Sequence, residues 1–359
     1  MSEPAIRLTG LTKLFGPGAP SLAAAMLDRA HRPALIERHR ERLALVDVDL
    51  DVARGSVQVV MGLSGSGKST LVRHINRLIE PTSGTVEVDG EDVLALSPGA
   101  LREFRRRKIS MVFQRFALLP HRTVLENVAY GLKMAGMARG ARRSKALEWV
   151  ERVGLKGEEN RYPAQLSGGM QQRVGLARAL ATDAGIMLMD EAFSALDPLI
   201  RTDMQSLLLD LQKDLGRTIV FITHDLDEAL RLGDRIAILK DGELVREGTG
   251  QEIVLDPGSD YVAAFVGDVD HGRVVEIGSL ATASTIADGS DDGQAVRLPA
   301  TTRLREAARI LSARGASSAI AVDADGRSVK GVELNDIIQA MTRPNRLERD
   351  TLRRTGATQ

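Results

Sequence analysis

The segment Gly62-Leu63-Ser64-Gly65-Ser66-Gly67-Lys68-Ser69 follows the pattern G-x-x-x-x-G-K-[ST]. Glycines at these positions let successive backbone N–H groups turn inward around a phosphate, and a helix N-terminus behind them adds partial positive charge. Lys68 can then reach a β- or γ-phosphate, and the Ser69 hydroxyl can ligate Mg²⁺. Further along, the apolar run 186–189 ends in Asp190 and Glu191. A strand tip beside a phosphate loop is where one carboxylate, Asp190, would hold Mg²⁺ and the next, Glu191, would orient or deprotonate an attacking water. Taken alone, the same pair would also serve as surface acids closing a strand.

A third segment, Leu166-Ser167-Gly168-Gly169-Met170-Gln171-Gln172-Arg173, precedes a helical run over about 170–181. Read as a ligand site, it is a second anion-binding helix terminus on one chain; read blandly, it is an N-capped helix with no ligand. One triphosphate does not need two such cradles. Two copies facing head to tail would use both, each phosphate loop closed by the other copy's Ser-Gly-Gly.

These groups need a parallel α/β scaffold, and from residue 45 to about 248 the chain alternates short β-rich runs with helical patterns. Residues 57–61, 109–113, 186–189 and 219–222 read as buried strands, and 69–78 as a helix ended before Pro81. Residues 21–43 read as a helical stretch broken at Pro33, and 123–153 as helical without strands. Asp241-Gly242, between two β-rich runs, is a hairpin signal. After about residue 268 the pattern changes: a loop at 287–293, a helix at 304–314, a strand at 319–322, a turn at 323–326 and a helix at 334–341 predict a second, small α/β domain. The expected organisation is a nucleotide-binding domain over 1–268, with a helical insertion at 21–43 and a helical subdomain at about 115–170. A small domain over 269–342 and a basic tail over 343–359 follow.

Composition bounds the reading from outside. The 359 residues suffice for one large core and a smaller second one. A formal net charge of zero gives no support for binding nucleic acid through phosphate neutralisation. With no cysteine there is no disulfide framework and no thiolate metal site. No stretch approaches the ~20 apolar residues of a spanning helix, so work at a membrane would require another chain to carry it there.

Taken in order, the motifs resemble the nucleotide-binding subunit of ABC transporters over residues 5–250. The resemblance implies the P-loop NTPase ABC ATPase core with its inserted helical subdomain, and ATP with Mg²⁺ as the species bound. It places ATP contacts on Phe15 (an aromatic stacked on adenine), on Gly62, Leu63, Ser64, Gly65, Ser66, Gly67, Lys68, Ser69 and Thr70, and on Ser167, Gly168, Gly169 and Asp197. Gln114 resembles the Q-loop glutamine that touches Mg²⁺ and faces the membrane subunits, and Ser194-Ala195-Leu196-Asp197 resembles the D-loop that crosses the dimer interface. His224 resembles the switch histidine at the γ-phosphate. Catalysis is thereby assigned to Glu191, His224, Lys68 and Gln114, and the metal to Ser69, Gln114 and Asp190.

The text between motifs narrows the resemblance. Residues 62–73 with Asn76-Arg77-Leu78-Ile79-Glu80-Pro81, and residues 189–201, are similar to the glycine betaine/proline importer subfamily, as is the insertion at 21–43. Met170 stands where the signature commonly has Gln, and residues 269–342 look like a single, degenerate cystathionine-β-synthase (CBS)-like module where that subfamily often ends in two. The implied partners are a second copy through an ATP sandwich, transmembrane permease subunits and, indirectly, an extracytoplasmic solute-binding protein. The implied location is the cytoplasmic side of the cell membrane, held peripherally. The basic tail adds anionic lipid as a further expected partner. The competing functions are ATPase of an importer for an amino acid or polyamine, a soluble ABC ATPase without transport, and a non-catalytic binding module. Retention of Glu191 and His224 argues against the last.

Overall fold

The computed structural model describes residues 3–26, 32–39, 42–114, 117–267, 269–280 and 295–342, and these form two compact units, Met1–Glu247 and Gly248–Gln359. The loop expected at 287–293 and the basic tail at 343–359 lie outside the described residues.

The first unit opens with β1 (Ile6–Leu14), α1 (Ala19–Met26), α2 (Arg32–His39) and β2 (Leu43–Val52). The insertion is thus two helices, and Pro33 is the second residue of α2 where a break was expected. Proline is tolerated there because the first N–H groups of a helix have no intrahelical acceptor. Next come β3 (Val57–Met61), α3 (Lys68–Ile75), β4 (Ser83–Val88), β5 (Glu91–Asp92), α4 (Pro98–Arg107) and β6 (Ile109–Val112). Helix α3 stops sooner than the expected 78: Asn76 caps it, Arg77 turns to φ +50°, and the Asn76 side chain accepts from the Leu78 N–H at 3.1 Å.

Then follow α5 (Val124–Met134), α6 (Arg139–Arg152), α7 (Gly168–Leu180) and β7 (Ile186–Asp190), and after them α8 (Pro198–Leu215), β8 (Thr218–Thr223) and α9 (Leu226–Leu232). The unit closes on β9 (Arg235–Lys240) and β10 (Glu243–Gly248), joined by Asp241-Gly242 with both residues at positive φ, as a two-residue hairpin turn requires. Helices α5, α6 and α7 pack on one another as the expected strandless subdomain.

Two sheets share one core. A four-stranded sheet runs β2-β1-β4-β5 and a six-stranded sheet β10-β9-β3-β8-β7-β6. In the larger, β3, β6, β7, β8 and β9 pair in parallel. These parallel strands are apolar along their length because both faces are covered: every residue of β3, β7 and β8 is buried. Leu8, Val48 and Leu50 from the small sheet join Leu71, Val72 and Ile75 of α3 and Val220 and Ile222 of β8 in a single cluster. The P-loop helix is therefore clamped between the two sheets. Beta register then fixes the site, since Met61 pairs with Thr223, Asp190 with Ile222 and Val112 with Met189. The carboxyl ends of four strands finish side by side, where ligands bind in open parallel sheets.

The second unit holds α10 (Gly250–Leu255), α11 (Asp260–Val266), α12 (His271–Val274), β11 (Val296–Pro299), α13 (Leu304–Arg314), β12 (Ser318–Val322), β13 (Ser328–Glu333) and α14 (Leu334–Thr342). It begins at Gly248, some twenty residues before the expected composition change. Helix α10 belongs to it through the Gln251 side chain, which accepts from the Glu276 N–H at 2.9 Å. Strand β11 pairs in parallel with β12 through α13, and β12 pairs antiparallel with β13, giving the order β-α-β-β-α. The turn between β12 and β13 is set by Asp323, whose carboxylate accepts from the Asp325 and Arg327 N–H groups. Leu298, Leu304, Leu311, Val332 and Ile337 form its separate core.

Candidate nucleotide site

The loop from β3 into α3 is built for an anion. Gly67 is the N-cap of α3 at φ +101° and makes no side-chain cap bond, so the first N–H groups of the helix have no side-chain acceptor. A Cβ on Gly67 would collide with the carbonyl oxygen of Ala44, the residue of β2 next to Leu45, which pairs with Lys13. Gly65, at φ +83°, has nothing within 4 Å of its Cβ position and leaves the mouth of the cradle open. The Ser66 hydroxyl is buried with no hydrogen-bond partner. Lys68 is folded back on its own loop, donating to the carbonyls of Gly62 at 2.8 Å and Leu63 at 2.9 Å. Burial pulls the ammonium below its ordinary pKa, against the opposing pull of Glu191 and Asp190. An uncapped helix start, an orphaned hydroxyl and a desolvated cation together fit a polyphosphate. Gly67→Ala should therefore lower Tm and ATP affinity together. The left-handed backbone alone costs about 1–2 kcal/mol for a residue with a Cβ, and the Ala44 carbonyl must also move; thermal shift with and without ATP reads both effects.

The acids arrive from β7. Asp190 is nearly buried, and its Oδ1 accepts from the Ser69 hydroxyl at 2.8 Å while Oδ2 lies 3.4 Å from the Arg73 guanidinium. Ser69 and Asp190 can thus share one divalent cation, the chemistry hard oxygen donors supply for Mg²⁺. Arg73 escaped the sequence reading, although it stands one helical turn after Ser69 on α3 and so faces the same way. Glu191 follows at φ +47°, a left-handed conformation that a Glu adopts only under constraint. Its carboxylate receives the Gln114 amide at 3.1 Å, and the His224 Nδ1 lies 3.8 Å from its other oxygen. Gln114 also reaches the Ser194 hydroxyl at 3.5 Å, and that hydroxyl donates to the Glu191 carbonyl at 2.9 Å. Three strand ends, those of β6, β7 and β8, meet at one carboxylate.

Phe15 follows β1, is 48% exposed, has the Lys13 ammonium 5.0 Å from its ring centroid, and has its backbone tied to Arg42, whose carbonyl accepts from the Phe15 N–H and whose guanidinium donates to the Phe15 carbonyl. The remaining sequence-assigned residues lie elsewhere. Ser167 caps α7, its hydroxyl accepting from the Met170 N–H at 3.3 Å, and Gly168 beside it is exposed. Gly169 packs so closely on Ile200 of α8 that a Cβ would overlap it. Asp197 caps α8 through the Ile200 N–H at 3.0 Å. Among the described residues neither Ser167 nor Asp197 bonds to residues 62–69. One chain brings together the P-loop, Asp190, Glu191, Gln114 and His224, and leaves the Ser-Gly-Gly terminus and Asp197 presented to solvent.

The sequence profile described as "ABC transporter" matches residues 45–194. The trimethylamine N-oxide transport system ATP-binding protein of Ruegeria pomeroyi is 58% identical over 243 residues, 68% of this chain and 72% of that protein. The glycine betaine/proline betaine transport system ATP-binding protein of Escherichia coli is 45% identical over 344 residues, 96% of this chain and 84% of that protein. Among solved structures, a dimeric, post-hydrolysis ATP-binding cassette bound to ADP and Pi superposes with a TM-score of 0.58 at 37% identity, covering 68% of this chain and 98% of that one. The chain belongs to the ABC transporter family, on the branch of ATP-binding subunits related to those of glycine betaine and proline betaine transport. Its first unit has the ABC ATPase fold, and among the described residues no helix is long and apolar enough to cross a membrane.

Proposed function

We propose that this chain hydrolyses ATP to energise import of glycine betaine or a closely related methylated amine, working as a pair of copies that close over two ATP molecules. The observation that carries the proposal is the division of the site: Gln114, Glu191 and His224 converge on one carboxylate, while the Ser167 terminus on the same chain is exposed and unused. Both relatives above serve methylated amines, and a dimeric solved neighbour supports the pairing. Ser69, Asp190 and Gln114 would hold Mg²⁺, which would supply positive charge beside the phosphates. Lys68 and the N–H groups of 62–70 hold the phosphates, and Phe15 stacks on the base. Glu191 takes the proton of the attacking water, His224 steadies the γ-phosphate end, and Ser167, Gly168, Gly169 and Asp197 of the second copy complete each site. ATP contacts made only in the closed pair bias a two-state equilibrium, and hydrolysis removes that bias.

The solute does not touch this chain, so the test is coupling. With its permease and binding protein in liposomes, ATP turnover should rise with glycine betaine, choline or proline outside and stay flat with a polyamine or another amino acid. Stimulation by trimethylamine N-oxide in place of betaine would favour the second solute.

The permease docks, in this account, where the chain leaves Gln114. Residues 117–121 follow it, with Phe116 outside the described residues. The Arg178 guanidinium fixes the Ala117 carbonyl at 2.7 Å, and the fully buried Asn127 side chain bonds both the N–H and the carbonyl of Leu119. Beside them lies a groove of about 330 Å³, with Met111 and Met134 in its lining and Arg102, Arg105 and Arg106 along its edge. Leu119 in this loop is half-buried. Leu119→Asp should abolish solute-stimulated turnover in the assembled transporter and leave the separate subunit's basal ATPase within about twofold. A subunit that no longer folds would show that Leu119 packs the helical subdomain instead. The second unit's β-α-β-β-α order supports a single CBS-like regulatory module.

A further inference from the structure

Helix α6 begins against the usual rules. Its N-cap residue, Ala138, makes no side-chain cap bond, its first turn has no acid, and Arg139, Arg142 and Arg143 stand where the helix dipole already carries positive charge. Like charges three and four residues apart on one helix face also repel. Across from it, α5 supplies Lys133, and the loop before α5 supplies Arg122. All five cations line one concave pocket of about 430 Å³ with Tyr130 in its wall.

Among the described residues these cations are unpaired. No described carboxylate pairs with any of the five. Glu126, the acid in the lining, is already committed to capping α5, accepting the Thr123 N–H at 3.0 Å. Arg122 lies over the Tyr130 ring, 5.2 Å from its centroid, which fixes the guanidinium plane, and its buried Nε has no hydrogen-bond partner. An ordinary solvated basic face spreads its charges and keeps its donors wet. This one gathers them around one concave pocket and over an uncapped helix start, with Lys133, Arg139 and Arg143 exposed and the Arg122 Nε dry and unused. None of the lining residues belongs to the P-loop or to the Glu191 constellation.

We propose that this pocket between α5 and α6 is a binding site for a phosphate-bearing anion, separate from the nucleotide site. A phosphate supplies multiple negative oxygens at one centre, which suits a fixed guanidinium fork and a helix terminus better than a lone carboxylate does. Either a lipid headgroup or a soluble phosphate compound carries that chemistry.

The test uses the full chain with its nucleotide site filled by Mg²⁺ and a non-hydrolysable ATP analogue, so that the P-loop cannot take the probe. Inorganic pyrophosphate is titrated calorimetrically, and vesicles of phosphatidylglycerol or of phosphatidylcholine are tested by flotation. The proposal expects one pyrophosphate per chain or flotation with phosphatidylglycerol alone, in either case weakened by salt. R142S/R143S should weaken that binding by about tenfold or more, the scale of losing charge-assisted hydrogen bonds. K133Q/R139Q, on mostly exposed residues, gives a second variant if the first unfolds. ATPase should remain within about twofold in either, because no catalytic contact is touched. Pyrophosphate binding assigns a soluble ligand, and flotation without it assigns the headgroup. Wild-type protein that takes neither probe, or variants that bind as well as wild type, would overturn the site and leave an acidic protein segment as the partner to seek.

Discussion

Glu191→Gln should leave ATP binding intact and lower hydrolysis by about 10²-fold or more, the usual scale for losing a general base. Gln keeps the shape of the side chain and its bond to Gln114 and removes only the basic oxygen. The P-loop contacts are unaffected, so ATP still favours the closed pair while the step that releases it is blocked. Size-exclusion chromatography should then show a stable dimer with ATP and a monomer without it, and a phosphate-release assay should show the lost turnover. Near-normal turnover would remove Glu191 from the base role and leave its left-handed backbone without a functional cause.

Ser167→Arg should give the complementary phenotype. The exposed hydroxyl that caps α7 is replaced by a long cation at the surface that has to close over a second copy's γ-phosphate. Losing the cap costs about 1 kcal/mol, too little to unfold the chain. Each chain still has a whole P-loop, so ATP binding to the separate subunit should survive. Dimerisation and turnover should not, with activity falling as far as in Glu191→Gln. Wild-type turnover in this variant would contradict the shared site.

Much of this site is legible in the sequence because its chemistry sits at strand ends. Gln114, Asp190, Glu191 and His224 each follow an apolar run, and parallel pairing brings such ends into line. What the sequence withholds is contact between distant positions. Ser69 and Asp190 are 121 residues apart, and nothing local announces that the hydroxyl donates to that carboxylate or that Arg73 holds its other oxygen. Asn127 is another case: an Asn inside a helical pattern reads as neutral, yet it is fully buried and pins Leu119 of the loop after Gln114. Element ends differ too, for local and for distant reasons. Helix α3 stops at Ile75 because Asn76 caps it and Arg77 turns left-handed, well before Pro81 can act. The second unit begins at Gly248 because the Gln251 side chain bonds across to Glu276, a contact no composition change records. The basic cluster at the start of α6 was likewise visible as residues, but only the fold gathers Arg122 and Lys133 beside it.

The proposed site is shared: each ATP would be handled by two chains, one giving the P-loop and the other the Ser167 terminus. Mixing two inactive variants tests it directly. Lys68→Ala spoils the P-loop and spares Ser167; Ser167→Arg spoils the terminus and spares Lys68. In a mixed pair one site is doubly broken and the other is whole. With both variants assembled on the permease, which would hold two copies together without ATP, random assortment of equal amounts gives half mixed pairs, so if sites turn over independently the mixture should recover roughly a quarter of wild-type phosphate release. Each variant alone should stay near background. A mixture as inactive as its components, at concentrations where wild type turns over, would contradict the shared site and require each chain to hydrolyse ATP with its own residues.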